Sequence, residues 1–102
     1  MILIGQDVLT KAGRRNKPLR TWLTTWAATV ANVEWYGIDD VRRTYSSADG
    51  VQLASITVVT VFNVKGNEYR LLTWIDYKAG VVEALEVMTH PEYDKGLWKA
   101  RY

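Results

Sequence analysis

The stretch Ile56-Thr57-Val58-Val59-Thr60-Val61-Phe62-Asn63-Val64-Lys65-Gly66-Asn67 decides the fold. Its first nine residues are β-branched or aromatic with almost no interruption, which is the composition of a largely buried strand. Lys65-Gly66-Asn67 then predicts a tight turn, because glycine and asparagine both tolerate positive φ. Glu68 to Tyr77 reads as a second strand, Lys78-Ala79-Gly80 as another turn, and Val81 to Met88 as a third strand. Two short turns in succession predict an antiparallel meander.

Upstream of this block the periodicity changes. Leu19, Trp22, Leu23, Trp26, Val30 and Val33 recur at helical spacing and form one apolar stripe, predicting a helix over 18–35 with Pro18 at its first position. Gln6 to Arg15 predicts a shorter helix carrying Val8, Leu9 and Ala12, and Met1 to Ile4 a short strand ended by Gly5. Asp39 to Tyr45 predicts another short helix, its acids at the positive N-terminal end, and Ser46 to Gly50 a loop. After the meander, Thr89 and Glu92 have capping-box spacing. The residue before Pro91 is pushed away from helical angles, so His90 is the competing cap. The expected class is α+β: a single domain over 1–102, with N-terminal helices packed on a small antiparallel sheet and a short C-terminal element.

Composition limits what such a domain can do. At 102 residues the chain can bury roughly two-thirds of its unfolded surface, enough for one core. It has no Cys, so it holds no disulfide, thiolate metal site or thiol nucleophile, and its single His argues against zinc. No cofactor or metal is expected. The apolar start is too short for a secretory signal and nothing approaches a membrane span, so the expected location is the cytoplasm, away from membranes. The fingerprints GxGxxG, P-loop, HExxH and GxSxG are all absent.

Charge is unevenly placed. The net charge is only +2, yet Lys11, Arg14, Arg15, Lys17 and Arg20 give residues 11–20 a local +5 with no acid. Such a cluster attracts polyanions, although a solvated helix face explains it equally well. Within the second meander strand, Glu68, Arg70, Leu72, Trp74 and Asp76 share one face. Arg70 is a permanent cation among apolar neighbours. It requires either a carboxylate on the next strand, Glu83 or Glu86, or a phosphate from outside. His90, Glu92, Tyr93 and Asp94 gather an imidazole, a phenol and two carboxylates within five residues, groups that can relay protons. Helix starts often collect the same types. Turn chemistry alone accounts for Asn67, and cap duty for Asp39-Asp40.

Two blocks carry a more specific signal. Phe62-Asn63-Val64-Lys65-Gly66-Asn67-Glu68-Tyr69-Arg70-Leu71 and Val87-Met88-Thr89-His90-Pro91-Glu92-Tyr93-Asp94-Lys95 resemble the signature segments of the HigB-type toxins, ribosome-associated mRNA interferases of the RelE/ParE superfamily. The resemblance implies a small RelE/ParE-like α+β endoribonuclease that cleaves translated mRNA without a metal, through attack of the 2′-hydroxyl on the adjacent phosphate. It also implies a cognate helix-turn-helix, HigA-like antitoxin that neutralises the toxin, with operator DNA met only through that complex. Carried onto this chain, it places Arg70, His90 and Tyr93 at the active surface and Lys65 against the RNA backbone. Asp94 orients Tyr93 or His90, or serves the helix start. On this reading Arg14, Arg15 and Lys17 contact ribosomal RNA. Two rivals share the fold: a gyrase-targeting ParE-like toxin and an inactive antitoxin-binding module.

Overall fold

The computed structural model describes residues 1–102, in the order β1 (Ile2–Ile4), α1 (Gln6–Gly13), α2 (Lys17–Asn32), α3 (Ile38–Thr44), β2 (Asp49–Gln52), β3 (Val58–Val64), β4 (Tyr69–Asp76), β5 (Val81–Thr89) and α4 (His90–Lys95). A 3-10 turn over Leu97–Ala100 follows. The class is α+β, as expected. The meander forms as read, with β3 and β5 each antiparallel to β4.

The sheet is larger than the meander and not wholly antiparallel. Its order is β1-β5-β4-β3-β2, and β1 runs parallel to β5. At the junction of β1 with α1, Gly5 has φ 80° and lies so close to β5 that a Cβ would come within 2.5 Å of the Ala84 carbonyl oxygen, so only glycine fits. The second addition, β2, occupies residues expected to be loop. Asp-Gly-Val-Gln has one half-buried apolar residue and serves as an edge strand, so the sequence shows no strand pattern there.

The two faces of the sheet are covered differently. Leu19, Leu23, Trp26 and Val30 of α2 pack with Phe62, Val64, Leu71 and Val82 on one face. Leu53, Val59, Val61, Leu72, Met88 and Trp98 form a smaller cluster on the other, under the C-terminal segment. A register shift opposite Leu72/Thr73 re-aims β5. As a result Leu85 packs with this second cluster while Glu86 bonds Arg101 and Tyr102.

Boundaries differ from expectation at α2 and α4. Asn16 caps α2, accepting from the Leu19 N–H at 2.8 Å, so Lys17 opens the helix and Pro18 falls within its first turn. The helix stops at Asn32, because the chain turns out to stack Trp35 on Phe62, with ring centroids 6.2 Å apart. The amino terminus takes the freed carbonyls of Val30 and Val33. At α4 the cap is Thr89, not His90: its hydroxyl accepts from the Glu92 N–H while the Glu92 carboxylate accepts from the Thr89 N–H.

Candidate active site

The open end of the second sheet face is assembled from three pieces of chain: the β3–β4 turn, the first residues of β4, and the start of α4. In the turn, Lys65 and Gly66 take positive φ of 51° and 68°, and Asn67 does not. Asn67 is therefore free of any backbone demand for its residue type. The next strand opens with Tyr69 and Arg70, and alternation sends Arg70 to the face away from the helices.

Arg70 is only 7% exposed and has no carboxylate partner. Glu86, one of the two acids expected to pair with it, is held instead by Arg101 and Tyr102. Its guanidinium donates to three neutral oxygens: the Tyr69 carbonyl at 3.0 Å, the Asn67 carbonyl at 3.3 Å and the Asn67 amide oxygen at 2.7 Å. It also lies 5.8 Å from the centroid of the Tyr93 ring. Tyr93 in turn stacks on Trp98, centroids 5.2 Å apart and planes 17° apart, and its carbonyl accepts from the Trp98 indole at 3.1 Å. The buried indole thus fixes the phenol ring that flanks the cation.

His90 is the first residue of α4. Its backbone N–H donates to the Glu68 carbonyl at 3.0 Å, which ties the helix start to the turn. Its Nε2 lies 3.0 Å from the Asp94 carboxylate, and its Nδ1 lies 3.5 Å from the Asn67 amide nitrogen. Asp94 therefore orients the imidazole, taking no part in the cap. Burial pushes the Tyr93 phenol above its ordinary value; Asp49 and Asp94 act in the same direction, and Arg70 opposes them. The phenol thus stays protonated at neutral pH. Backbone and side-chain bonds to Thr89 hold the Glu92 carboxyl below its ordinary value.

Arg70, His90 and Tyr93, placed together by the family resemblance, lie at one end of the sheet face, Arg70 meeting Tyr93 directly and His90 through Asn67. Lys65 does not join them. It pairs with Glu68 at 3.1 Å and lines a cavity of about 530 Å³ on the helix side of the turn, with Lys17, Trp22, Trp26 and Tyr45. The basic residues Arg14, Arg15 and Lys17 are exposed and unpaired. The α1–α2 junction carrying them is tied to β4 on the helix face of the sheet, where Asn16 donates to the Tyr69 hydroxyl at 3.1 Å. Arg15 contributes at longer range to the lowering of the Glu92 carboxyl. What sequence reasoning missed is Asn67, the residue bridging Arg70 to His90. Its one available signal in the sequence was its place within the Phe62–Leu71 block that carries the family resemblance.

The arrangement offers a largely buried cation with no counter-charge, an imidazole backed by a carboxylate, and a phenol, grouped at one end of the sheet face. Residues 19–96 match the model of a family described as HigB toxin, RelE-like toxic component of a toxin-antitoxin system. The mRNA interferase toxin HigB of Escherichia coli (strain K12) is 30% identical over 94 residues, spanning 92% of this chain and 88% of its own. Proteins named mRNA interferase HigB from Escherichia coli O157:H7 and Shigella flexneri match to the same extent. The match reaches from α2 through α4, across both pieces that hold Arg70 and His90, and the chain belongs to the HigB toxin family.

Proposed function

We propose that this chain is an mRNA interferase, an endoribonuclease that inhibits growth by cutting mRNA on the ribosome. The observation that carries the reading is the Arg70 guanidinium, fixed by neutral oxygens alone and set beside His90 and Tyr93. A cation so held keeps its charge for a phosphate, and its planar fork grips two oxygens at once.

RNA brings its own nucleophile. The 2′-oxygen forms the new bond to phosphorus as its proton leaves, the P–O5′ bond breaks, and the departing 5′-oxygen takes a proton. Arg70 stabilises the extra charge on the crowded phosphorane. His90 receives the 2′-hydroxyl proton, and the protonated Tyr93 phenol supplies the leaving oxygen, both groups then exchanging with solvent. No step calls for a metal. Lys65, paired with Glu68 in the turn, adds positive charge for the RNA backbone.

A net charge of +2 binds naked RNA weakly, so substrate delivery falls to the ribosome, with Arg14, Arg15 and Lys17 contacting its RNA. A HigA-like, helix-turn-helix antitoxin is the partner that silences the activity. Translation-dependent cleavage of a reporter mRNA by the purified chain tests the reading, beside an assay of gyrase-mediated DNA breaks. Cleavage without breaks is expected. Breaks without cleavage would move the chain to the gyrase-targeting branch, and neither would leave an antitoxin-binding module.

A further inference from the structure

The contacts of Asn67 fix where the proton of the imidazole sits. Guanidinium has only N–H donors, so the Asn67 amide oxygen, 2.7 Å from Arg70 Nη2, is correctly the atom facing it. The amide nitrogen then faces His90 Nδ1 at 3.5 Å. A donor there requires a lone pair on Nδ1, and the neutral ring carries its hydrogen on Nε2, which donates to Asp94 at 3.0 Å. One line of contacts runs from Arg70 through Asn67 and His90 to Asp94: the acceptor-only carboxylate of Asp94 sets the hydrogen on Nε2, and the Asn67 amide faces the Nδ1 that this leaves bare.

We propose that Asn67 is a positioning residue that keeps His90 Nδ1 bare and aims it along the Arg70 side of the patch, making Nδ1 the atom that takes the 2′-hydroxyl proton. This rests on the ribonuclease reading above and sharpens it. The backbone supports the same role: the Asn67 and Glu68 carbonyls accept from Arg70 and from the His90 N–H, so one dipeptide holds both groups. The 3.5 Å contact is long enough for a 2′-hydroxyl to displace the amide without disturbing the ring. Charged groups around the imidazole are Asp94 on its own helix, Glu68 with its partner Lys65 in the turn, and Arg70 behind Asn67, with the Tyr93 phenol beside it.

The chain has a single His, so its ring nitrogens give unambiguous signals in ¹⁵N spectra. The parent is expected to show the neutral ring with hydrogen on Nε2. Asn67→Asp replaces the amide donor by an acceptor. It should draw hydrogen to Nδ1, seen as a changed pattern of the two ring ¹⁵N signals. Asn67→Ala should lower kcat about tenfold, as for one lost hydrogen bond, at unchanged KM. Ring ¹⁵N signals in Asn67→Asp identical to the parent's would overturn the inference, as would full kcat in Asn67→Ala. If Arg70→Ala and His90→Gln cleave like the parent, the ribonuclease reading itself fails; if they are inactive while the Asn67 variants behave as the parent, only the positioning role fails.

Discussion

Two arginines lie on the same face of the sheet and are used in opposite ways. Arg101 donates from Nε and Nη2 to the two oxygens of Glu86 at 2.9 and 2.8 Å, and Tyr102 donates to the same carboxylate at 2.6 Å. That cluster is neutralised within itself and fastens the C-terminal segment to β5. Arg70 is far more buried, yet every oxygen it meets is uncharged. Burying a cation without a counter-charge is unfavourable unless its donors are satisfied and an anion arrives to use it. The paired arginine acts as a clamp, and the unpaired one is the group that the proposed function assigns to a phosphate.

Removing each member should break this contrast in a different currency. Arg70→Ala is expected to lower mRNA cleavage about 10²–10³-fold, the usual loss of a charge-stabilising donor, in a chain that stays folded by circular dichroism. His90→Gln, which keeps the size of the side chain but cannot exchange protons, should lose about 10²-fold or more in the same assay. Reversal of Arg14, Arg15 and Lys17 to Glu leaves the patch intact and should remove ribosome co-sedimentation, with roughly tenfold or greater weakening expected from lost phosphate contacts.

The clamp should respond to alkali instead. Burial, then the Glu86 contact, pushes the Tyr102 phenol up to about 12. A raised value in the folded state means that its contribution is complete below about pH 10, the unfolded phenol's range, and is lost as pH climbs towards 12. Denaturant titrations should show stability falling across that window, with a shallower fall in Tyr102→Phe. Smallest of all is Arg101→Ala, expected to lower the denaturant midpoint only slightly, with cleavage unchanged.

The meander and the α2 stripe were legible because burial writes itself into periodicity: Leu71 and Leu72 each had to face a core. β2 was not, since an edge strand of Asp-Gly-Val-Gln buries almost nothing, and the parallel placement of β1 depends on a long-range pairing that three apolar residues cannot announce. At the site, Arg70 stood out as a cation in a buried strand, and His90 and Tyr93 through the family resemblance. Asn67 was hidden because asparagine in a turn has an ordinary explanation, which only the dihedral angles remove. The role of Asp94 likewise needed coordinates, because spacing allowed the cap and the imidazole equally.

The most direct measurement is the chemistry of the cut ends in a ribosome-bound reporter mRNA. Attack by the 2′-oxygen, with Arg70 holding the phosphate, leaves a 2′,3′-cyclic phosphate on one fragment and a 5′-hydroxyl on the other, and Arg70→Ala should yield neither. Fragments carrying a 5′-phosphate, or unchanged cutting by Arg70→Ala, would contradict the account.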